Sequence, residues 1–162
     1  MKTIKRRRKE NKTDYLKRLK MLKGERLRLV FRKTNRYLIV QEVESKEAQD
    51  KIVIGASSKE LLKYGWPKES SGSLKSITAA YLVGYLIGKK IKTNKAPIVD
   101  FGMLRVLPKT KVHAFLKGLV DAGIKVGVKT EYFPTSDRVE GKHLKNKIPF
   151  KEIKAKIDSG IK

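Results

Sequence analysis

The chain has 162 residues, of which 40 are lysine or arginine and 16 are aspartate or glutamate, giving a net charge of +24. It contains no cysteine and two histidines, His113 and His143. This composition excludes a disulfide scaffold, a thiolate zinc site, an iron–sulfur cluster and a cysteine nucleophile, and no cofactor or metal is expected. The charge favours a polyanionic partner, either nucleic acid or an anionic membrane surface.

The sequence argues against the membrane alternative. Its longest mostly apolar stretch, residues 78–88, is too short to span a bilayer of roughly 30 Å. The first 12 residues also lack the apolar core of a signal peptide. We therefore expect no membrane partner, an expectation that sedimentation with anionic vesicles would test.

The charge is distributed unevenly along the chain. Residues 1–36 carry 16 basic and 3 acidic residues, whereas the rest of the chain is closer to balance. This distribution predicts a basic N-terminal arm with a short helix (residues 1–24), an α/β core (25–130) and a basic C-terminal extension (131–162). Residues 1–12 are predicted to be extended and tied to RNA, because their like charges repel and they offer no apolar stripe. A solvated tail or a localisation signal is the alternative.

The first predicted element is a short basic helix. Thr13 is a plausible N-cap, and Tyr15, Leu19 and Leu22 share one face at helical spacing. A helix of about ten residues is unstable alone in water. We therefore expect this one to order against the core or against a partner.

Residues 26–43 predict a β-hairpin. Along its first strand apolar residues alternate with basic ones, so one face is aliphatic and the other carries Arg26, Arg28 and Arg32. A two-residue turn at Thr34-Asn35 would place Tyr37 opposite Arg32. Arginine forks suit phosphate oxygens, and a tyrosine ring can stack on an unpaired base. This face is therefore predicted to bind nucleic acid, with an ordinary solvated sheet face as the alternative.

The middle of the chain completes an α/β pattern. It predicts a third strand at 51–57, a short helix at 58–64, a long helix at 76–92, a fourth strand at 96–102 and a helix at 111–125. The order β-β-β-α-β-α defines an α/β core with one mixed sheet, and a fifth strand is also allowed at 125–129. Trp66, in a loop, could stack on a base or pack against its own domain. Gly84 is predicted to lie where the long helix closely approaches another element.

An enzyme has to be considered, because nucleases of the ribonuclease H type share this element order. Those enzymes need several convergent carboxylates to hold two Mg²⁺ ions. Asp100 is the one carboxylate in the predicted fourth strand, and the first strand offers arginines instead. Asp100 is therefore predicted to pair with a cation or to cap a turn, and the protein is predicted not to be an enzyme. A metal-dependent nuclease is the alternative, which Mg²⁺-dependent cleavage of an RNA–DNA hybrid would identify.

The C-terminal part predicts two short helices. Thr135 or Ser136 can start the first, and Gly141 breaks it. His143 could touch RNA or simply cap. Residues 145–162 mix isoleucine with lysine and predict a short basic helix that docks on RNA or on a neighbour.

Several short motifs, in their order and spacing, resemble one family. They are Lys12-Thr13-Asp14-Tyr15 with Arg18-Leu19, Arg32-Lys33-Thr34-Asn35, Lys63-Tyr64-Gly65-Trp66, Thr78-Ala79-Ala80-Tyr81-Leu82, Asp100-Phe101-Gly102 with Arg105, Lys117-Gly118 with Asp121-Ala122-Gly123, and Pro134-x-Ser136-x-Arg138 with Gly141 and His143. From about residue 5 to residue 144, the chain resembles the universal large-subunit ribosomal protein L-eighteen family, the 5S rRNA binders, in its archaeal and eukaryotic branch.

The resemblance implies a cytoplasmic ribosomal protein of the large subunit with the β-β-β-α-β-α core predicted above. That core has a ribonuclease H-like topology but lacks the catalytic carboxylates. It would lie in the central protuberance and attach 5S rRNA to the large-subunit rRNA, beside neighbouring ribosomal proteins. Together with the charge pattern, it gives a predicted RNA-binding set of Lys5, Arg6, Arg7, Arg8, Lys9, Lys12, Tyr15, Arg18, Arg26, Arg28, Arg32, Lys33, Asn35, Arg36, Tyr37, Arg138 and His143.

Overall fold

A computed structural model describes residues 3–46, 49–91, 96–144 and 146–160. A mixed β-sheet of four strands forms the centre of the protein. The order across the sheet is β3-β2-β1-β4; β2 is antiparallel to both neighbours, and β4 is parallel to β1. The predicted α/β class with a mixed sheet is confirmed. The strands are β1 (Arg28–Lys33), β2 (Leu38–Lys46), β3 (Gln49–Ser57) and β4 (Ile98–Asp100).

Some sequence predictions fall outside the described residues. They concern residues 1–2 of the arm, residues 47–48 between the second and third strands, the end of the long helix at residue 92, and residues 145 and 161–162 of the C-terminal extension.

The β1–β2 hairpin has a longer turn than the sequence predicts. Arg32 lies opposite Ile39 and Lys33 opposite Leu38, so the turn runs over residues 34–37. Thr34 closes it, because its hydroxyl accepts a hydrogen bond from the Tyr37 N–H at 2.9 Å. The predicted pairing of Arg32 with Tyr37 is therefore wrong by two residues. A shift of two residues keeps each side chain of β1 on its predicted face.

Two long helices pack on the aliphatic face of the sheet. α3 (Ile77–Lys90) begins after Ser76, whose hydroxyl accepts a hydrogen bond from the Ala79 N–H. α4 (Lys111–Asp121) crosses α3 so closely that a Cβ at Gly84 would lie 2.3 Å from the Phe115 carbonyl oxygen. The predicted close approach at Gly84 is confirmed.

The connections differ from their predictions in two places. The short helix predicted at 58–64 is a 3-10 turn, Ser58–Leu62, and a second 3-10 turn, Lys68–Ser73, lies in the predicted loop. Residues 125–129, which the structure describes in full, form no strand, so the fifth strand is absent. Trp66 packs against its own domain: it is buried, and its indole N–H donates to the Ser70 carbonyl at 3.1 Å.

The C-terminal helices fold back on this core. α5 (Ser136–Glu140) ends at Gly141, as predicted, and α6 (Phe150–Gly160) is the predicted basic helix. Ile153 and Ile157 of α6 are fully buried in the core, and the Tyr85 hydroxyl of α3 donates to Asp158 at 2.7 Å. The prediction that α6 docks on RNA or a neighbour is wrong for its apolar face, which packs on the chain itself.

Candidate nucleic-acid interface

The N-terminal arm lies outside the core. Arg6–Lys9 form one helical turn, α1, so the predicted extended conformation is wrong for these residues. The arm contacts the next helix, because Arg7 donates to the Thr13 hydroxyl at 3.0 Å and Arg8 lies 3.4 Å from the Asp14 carboxylate. Within the described residues 3–12, the arm buries no side chain, and these cationic groups are exposed: Lys5, Arg6, Arg7, Arg8, Lys9 and Lys12.

The helix after the arm, α2 (Tyr15–Leu22), is only loosely attached to the core. It begins at Asp14 rather than at Thr13, because the Asp14 carboxylate accepts hydrogen bonds from the N–H groups of the first turn. Leu16 and Leu19 are 72% and 51% exposed. Arg18 donates to Asp50 of β3 at 2.9 Å, and Tyr15 is half-buried under the Lys5 ammonium, 4.6 Å from its ring centre. The helix thus presents basic and apolar groups together at the surface.

The structure places Arg28 inside the protein, although the alternation predicted an exposed face. It is 1% exposed, and its guanidinium donates to Asp50 at 2.7 Å and to the Ser45 hydroxyl at 2.9 Å. It also lies 3.8 Å from the Asp100 carboxylate. Carboxylates from β3 and β4, which lie on opposite sides of β1 in the sheet order, therefore converge on it. A buried cation needs such partners, and the predicted exposure of Arg28 is wrong.

Arg32, four residues further along β1, is held by the same Asp100 carboxylate. Its guanidinium donates to the Asp100 carboxylate at 2.8 Å and to the Asp100 carbonyl at 2.9 Å. Asp100 also accepts the Gly102 N–H at 2.7 Å, so both predicted roles of Asp100, pairing with a cation and closing a turn, are confirmed. Gly102 has a φ of +59°, and a Cβ there would lie 3.0 Å from the Arg32 guanidinium carbon, so glycine makes room for this pair.

The same contacts determine the ionisation of Asp100. Burial raises the pKa of this carboxyl, but the hydrogen bonds from Arg32 and Gly102 and the charges of Arg32 and Arg28 outweigh burial. The pKa of Asp100 therefore lies below its ordinary value, and the carboxylate is charged at neutral pH. It is a partner of the arginines, which explains why it is unsuited to the metal-binding role of a nuclease.

The β1–β2 turn carries a second group of predicted residues. Lys33, Asn35 and Arg36 are exposed, whereas Tyr37 is half-buried and packs against the core. Lys75 also reaches this turn, since its ammonium donates to the Asn35 carbonyl at 2.8 Å. Sequence reasoning missed Lys75, which lies 40 residues along the chain, because only the fold brings it to the turn.

The remaining predicted residues lie elsewhere. Arg26 is exposed just before β1, and Arg138 and His143 are exposed in and after α5. In the described part of the chain, no three acidic or histidine side chains converge as metal ligands would, and no helix is long and apolar enough to cross a membrane.

An α/β core with a cationic arm held outside it defines a class of basic proteins that bind polyanions. A sequence profile described as "Ribosomal large subunit proteins 60S L5, and 50S L18" matches residues 1–97. "Large ribosomal subunit protein uL18" of Korarchaeum cryptofilum is 45% identical over 142 residues, 86% of this chain and 70% of the relative. Its namesake in Methanoregula boonei is 39% identical over 141 residues, 86% of this chain and 79% of the relative.

The chain belongs to the uL18 family of large-subunit ribosomal proteins. The resemblance carried by the sequence motifs is thereby confirmed. Proteins of this family are components of a cytoplasmic ribonucleoprotein particle, the large ribosomal subunit, and they serve translation as structural constituents.

Proposed function

We propose that this protein binds 5S rRNA and helps attach it to the large-subunit rRNA in the central protuberance, without catalysing a reaction. Its partners there are the two RNAs and the neighbouring ribosomal proteins. One observation carries the proposal: the described part of the arm, residues 3–12, exposes six cationic side chains and buries none of its side chains. Family membership supports an RNA as the polyanion that this arm meets.

The proposed interface begins with the arm and α2. Exposed surface ion pairs contribute little, so the pairs of the arm with Glu10 and Asp14 can be exchanged for RNA phosphates at small cost. Each phosphate contact releases counterions, which makes affinity depend on salt. The exposed Leu16 and Leu19 add apolar contact area for a base, a sugar or a protein neighbour.

Five further predicted residues are proposed as RNA contacts because they are exposed: Arg26, Lys33, Arg36, Arg138 and His143. Asn35 belongs with them at the turn, and Arg18 and the partly exposed Arg32 can reach RNA while they keep their carboxylate partners. Arg28 is left out because it is buried, and Tyr37 contributes at most the outer part of its ring. The nuclease alternative has no support from Asp100, whose oxygens are bound to Arg32 and Gly102.

The test is a binding assay of the full chain with 5S rRNA, using transfer RNA as a folded RNA of different shape. The proposal expects preference for 5S rRNA at physiological salt and a steep fall in affinity as salt rises. Large subunits assembled without this protein should contain less 5S rRNA. Equal affinity for both RNAs, together with normal 5S rRNA content in depleted subunits, would overturn it.

A further inference from the structure

Three lysines from separate parts of the chain lie near the end of the sheet that carries the β1–β2 turn. Lys33 is the last residue of β1, Lys75 comes shortly before α3, and Lys111 is the first residue of α4. The Lys75 ammonium donates to the Asn35 carbonyl, two residues beyond Lys33. We call these three residues the lysine cluster.

The lysine cluster carries its charge without compensation from the described residues. Among these residues, no ion pair joins any of the three lysines to a carboxylate. Burial lowers the pKa of Lys111, and the charges of Lys33 and Lys75 lower it further. The fold therefore holds like charges close together, an arrangement that costs stability in the free protein and that a bound anion would relieve.

The start of α4 adds to this positive field. Thr110 precedes the helix, but its hydroxyl donates to the Leu107 carbonyl instead of capping the first turn. A helix N-terminus is positive, which disfavours a lysine such as Lys111 and favours a phosphate. Lysine binds phosphate as a point charge, so three flexible lysines can share one phosphate group.

We propose that Lys33, Lys75 and Lys111 together bind a phosphate of rRNA, as a contact separate from the N-terminal arm. This inference rests on the proposed function and adds Lys75 and Lys111 to the interface. The N-terminal arm and the lysine cluster lie near different ends of β1. The helix that follows the arm, α2, is tied through Arg18 and Asp50 to Arg28, the first residue of β1, whereas Lys33 is the last. From Arg28 to Lys33 the strand spans roughly 16 Å. The protein would thus contact RNA at two separate places.

The experiment compares two variants that each remove three positive charges. The cluster variant carries Lys33→Gln, Lys75→Gln and Lys111→Gln; the control carries Lys59→Gln, Lys63→Gln and Lys125→Gln, three exposed lysines elsewhere on the core. Affinity is measured over a salt series for 5S rRNA and, separately, for large-subunit rRNA. The cluster variant should bind at least one RNA about tenfold more weakly, and the slope of log K against log salt should flatten by roughly 0.7 for every phosphate that the protein no longer neutralises. The control should change far less.

The melting temperature provides a second measurement. Because the substitutions relieve repulsion, the cluster variant should melt no lower than the wild type; if the triple variant fails to fold, the exposed single variant Lys75→Gln takes its place. Weaker binding to only one RNA identifies the source of the phosphate. If the wild type binds but the cluster variant behaves like the control with both RNAs, the lysine cluster is not a phosphate site and the proposed function still stands. If the wild type binds neither RNA, the proposed function itself fails.

Discussion

Arg26 and Arg28 are two residues apart and have opposite environments. Arg26 is exposed, whereas Arg28 is buried and bound to Asp50 and Ser45. Arg28→Ala should lower the free energy of unfolding by about 3 kcal/mol, because it leaves Asp50 and the buried Asp100 without a cation that they share. Arg26→Ala is the matched control and should change stability by less than about 0.5 kcal/mol. Urea denaturation of both variants measures the difference.

The effects of the two substitutions on RNA binding should be the reverse of their effects on stability. Arg26→Ala should weaken salt-dependent binding to 5S rRNA, whereas Arg28→Ala should leave the binding of the folded fraction nearly unchanged. Equal stability of the two variants would show that the ion pairs of Arg28 contribute nothing. The alternation of the sequence reveals which face Arg28 occupies, but not that the face is covered there, because Asp50 is 22 residues away.

Asp50 and Asp100 should make stability depend on acid pH. Burial raises the pKa of both carboxyls. Hydrogen bonds from Ser45 to Asp50 and from Arg32 to Asp100, together with the charges of the arginines, outweigh burial. Both pKa values therefore lie below the ordinary 3.8. As pH falls, the unfolded chain therefore takes up these protons before the folded protein does. Their stabilising contribution is fully present above about pH 4 and is lost as pH falls through the folded-state values.

Chemical denaturation over a pH series measures this effect. The free energy of unfolding should decline below about pH 4 in the wild type, and the decline should be shallower in Asp100→Asn. Glu69→Gln, at an exposed carboxyl, is a suitable control for the removal of one surface charge. The same acid dependence in Asp100→Asn and the wild type would contradict the role given to Asp100.

At the scale of elements, the crossing of α3 and α4 depends on two glycines. A Cβ at Gly84 would meet the Phe115 carbonyl at 2.3 Å, and one at Gly118 would meet the Tyr81 carbonyl at 2.2 Å. Since both obstacles are backbone atoms, the helices themselves must move apart. Gly84→Ala should therefore cost about 1–3 kcal/mol.

The melting temperature of Gly84→Ala should fall by several degrees. Gly127→Ala is the matched control, because no atom lies within 4 Å of a Cβ built there. An equal melting temperature for the two variants would show that the crossing of α3 and α4 accommodates the added methyl group without loss of stability.

The elements also show which parts of a fold a sequence can predict. The helix start at Ser76 follows from local capping chemistry, and the element order follows from periodicity, so both are predictable. The four-residue turn at 34–37 depends on the hydrogen bond from the Tyr37 N–H to the Thr34 hydroxyl. Residue propensities alone do not distinguish it from a two-residue turn. Residues 125–129 alternate like a strand but find no neighbouring strand to pair with among the described residues.

Over the whole molecule, charge and core are separated. The core is apolar and its buried charges are paired, as Arg28 and Asp100 illustrate, while part of the excess positive charge lies on the arm, on α2 and at the lysine cluster. The arm was predictable as a cationic surface because charge density is a local property of the sequence. The lysine cluster was not, because Lys33, Lys75 and Lys111 become neighbours only through the fold. In the proposed function, the arm and the folded core would therefore make separate electrostatic contacts with RNA.

This separation leads to a prediction for the protein without residues 1–12. No side chain of the arm is buried over residues 3–12, the part that the structure describes, so deletion of the arm should leave the melting temperature nearly unchanged. Affinity for 5S rRNA at physiological salt should nevertheless fall, and the slope of log K against log salt should flatten by roughly 0.7 for each phosphate that the arm had neutralised. The remaining slope belongs to the core and should flatten again when Lys75→Gln is added. Unchanged affinity and slope after deletion of the arm would move the electrostatic part of RNA binding entirely to the folded core.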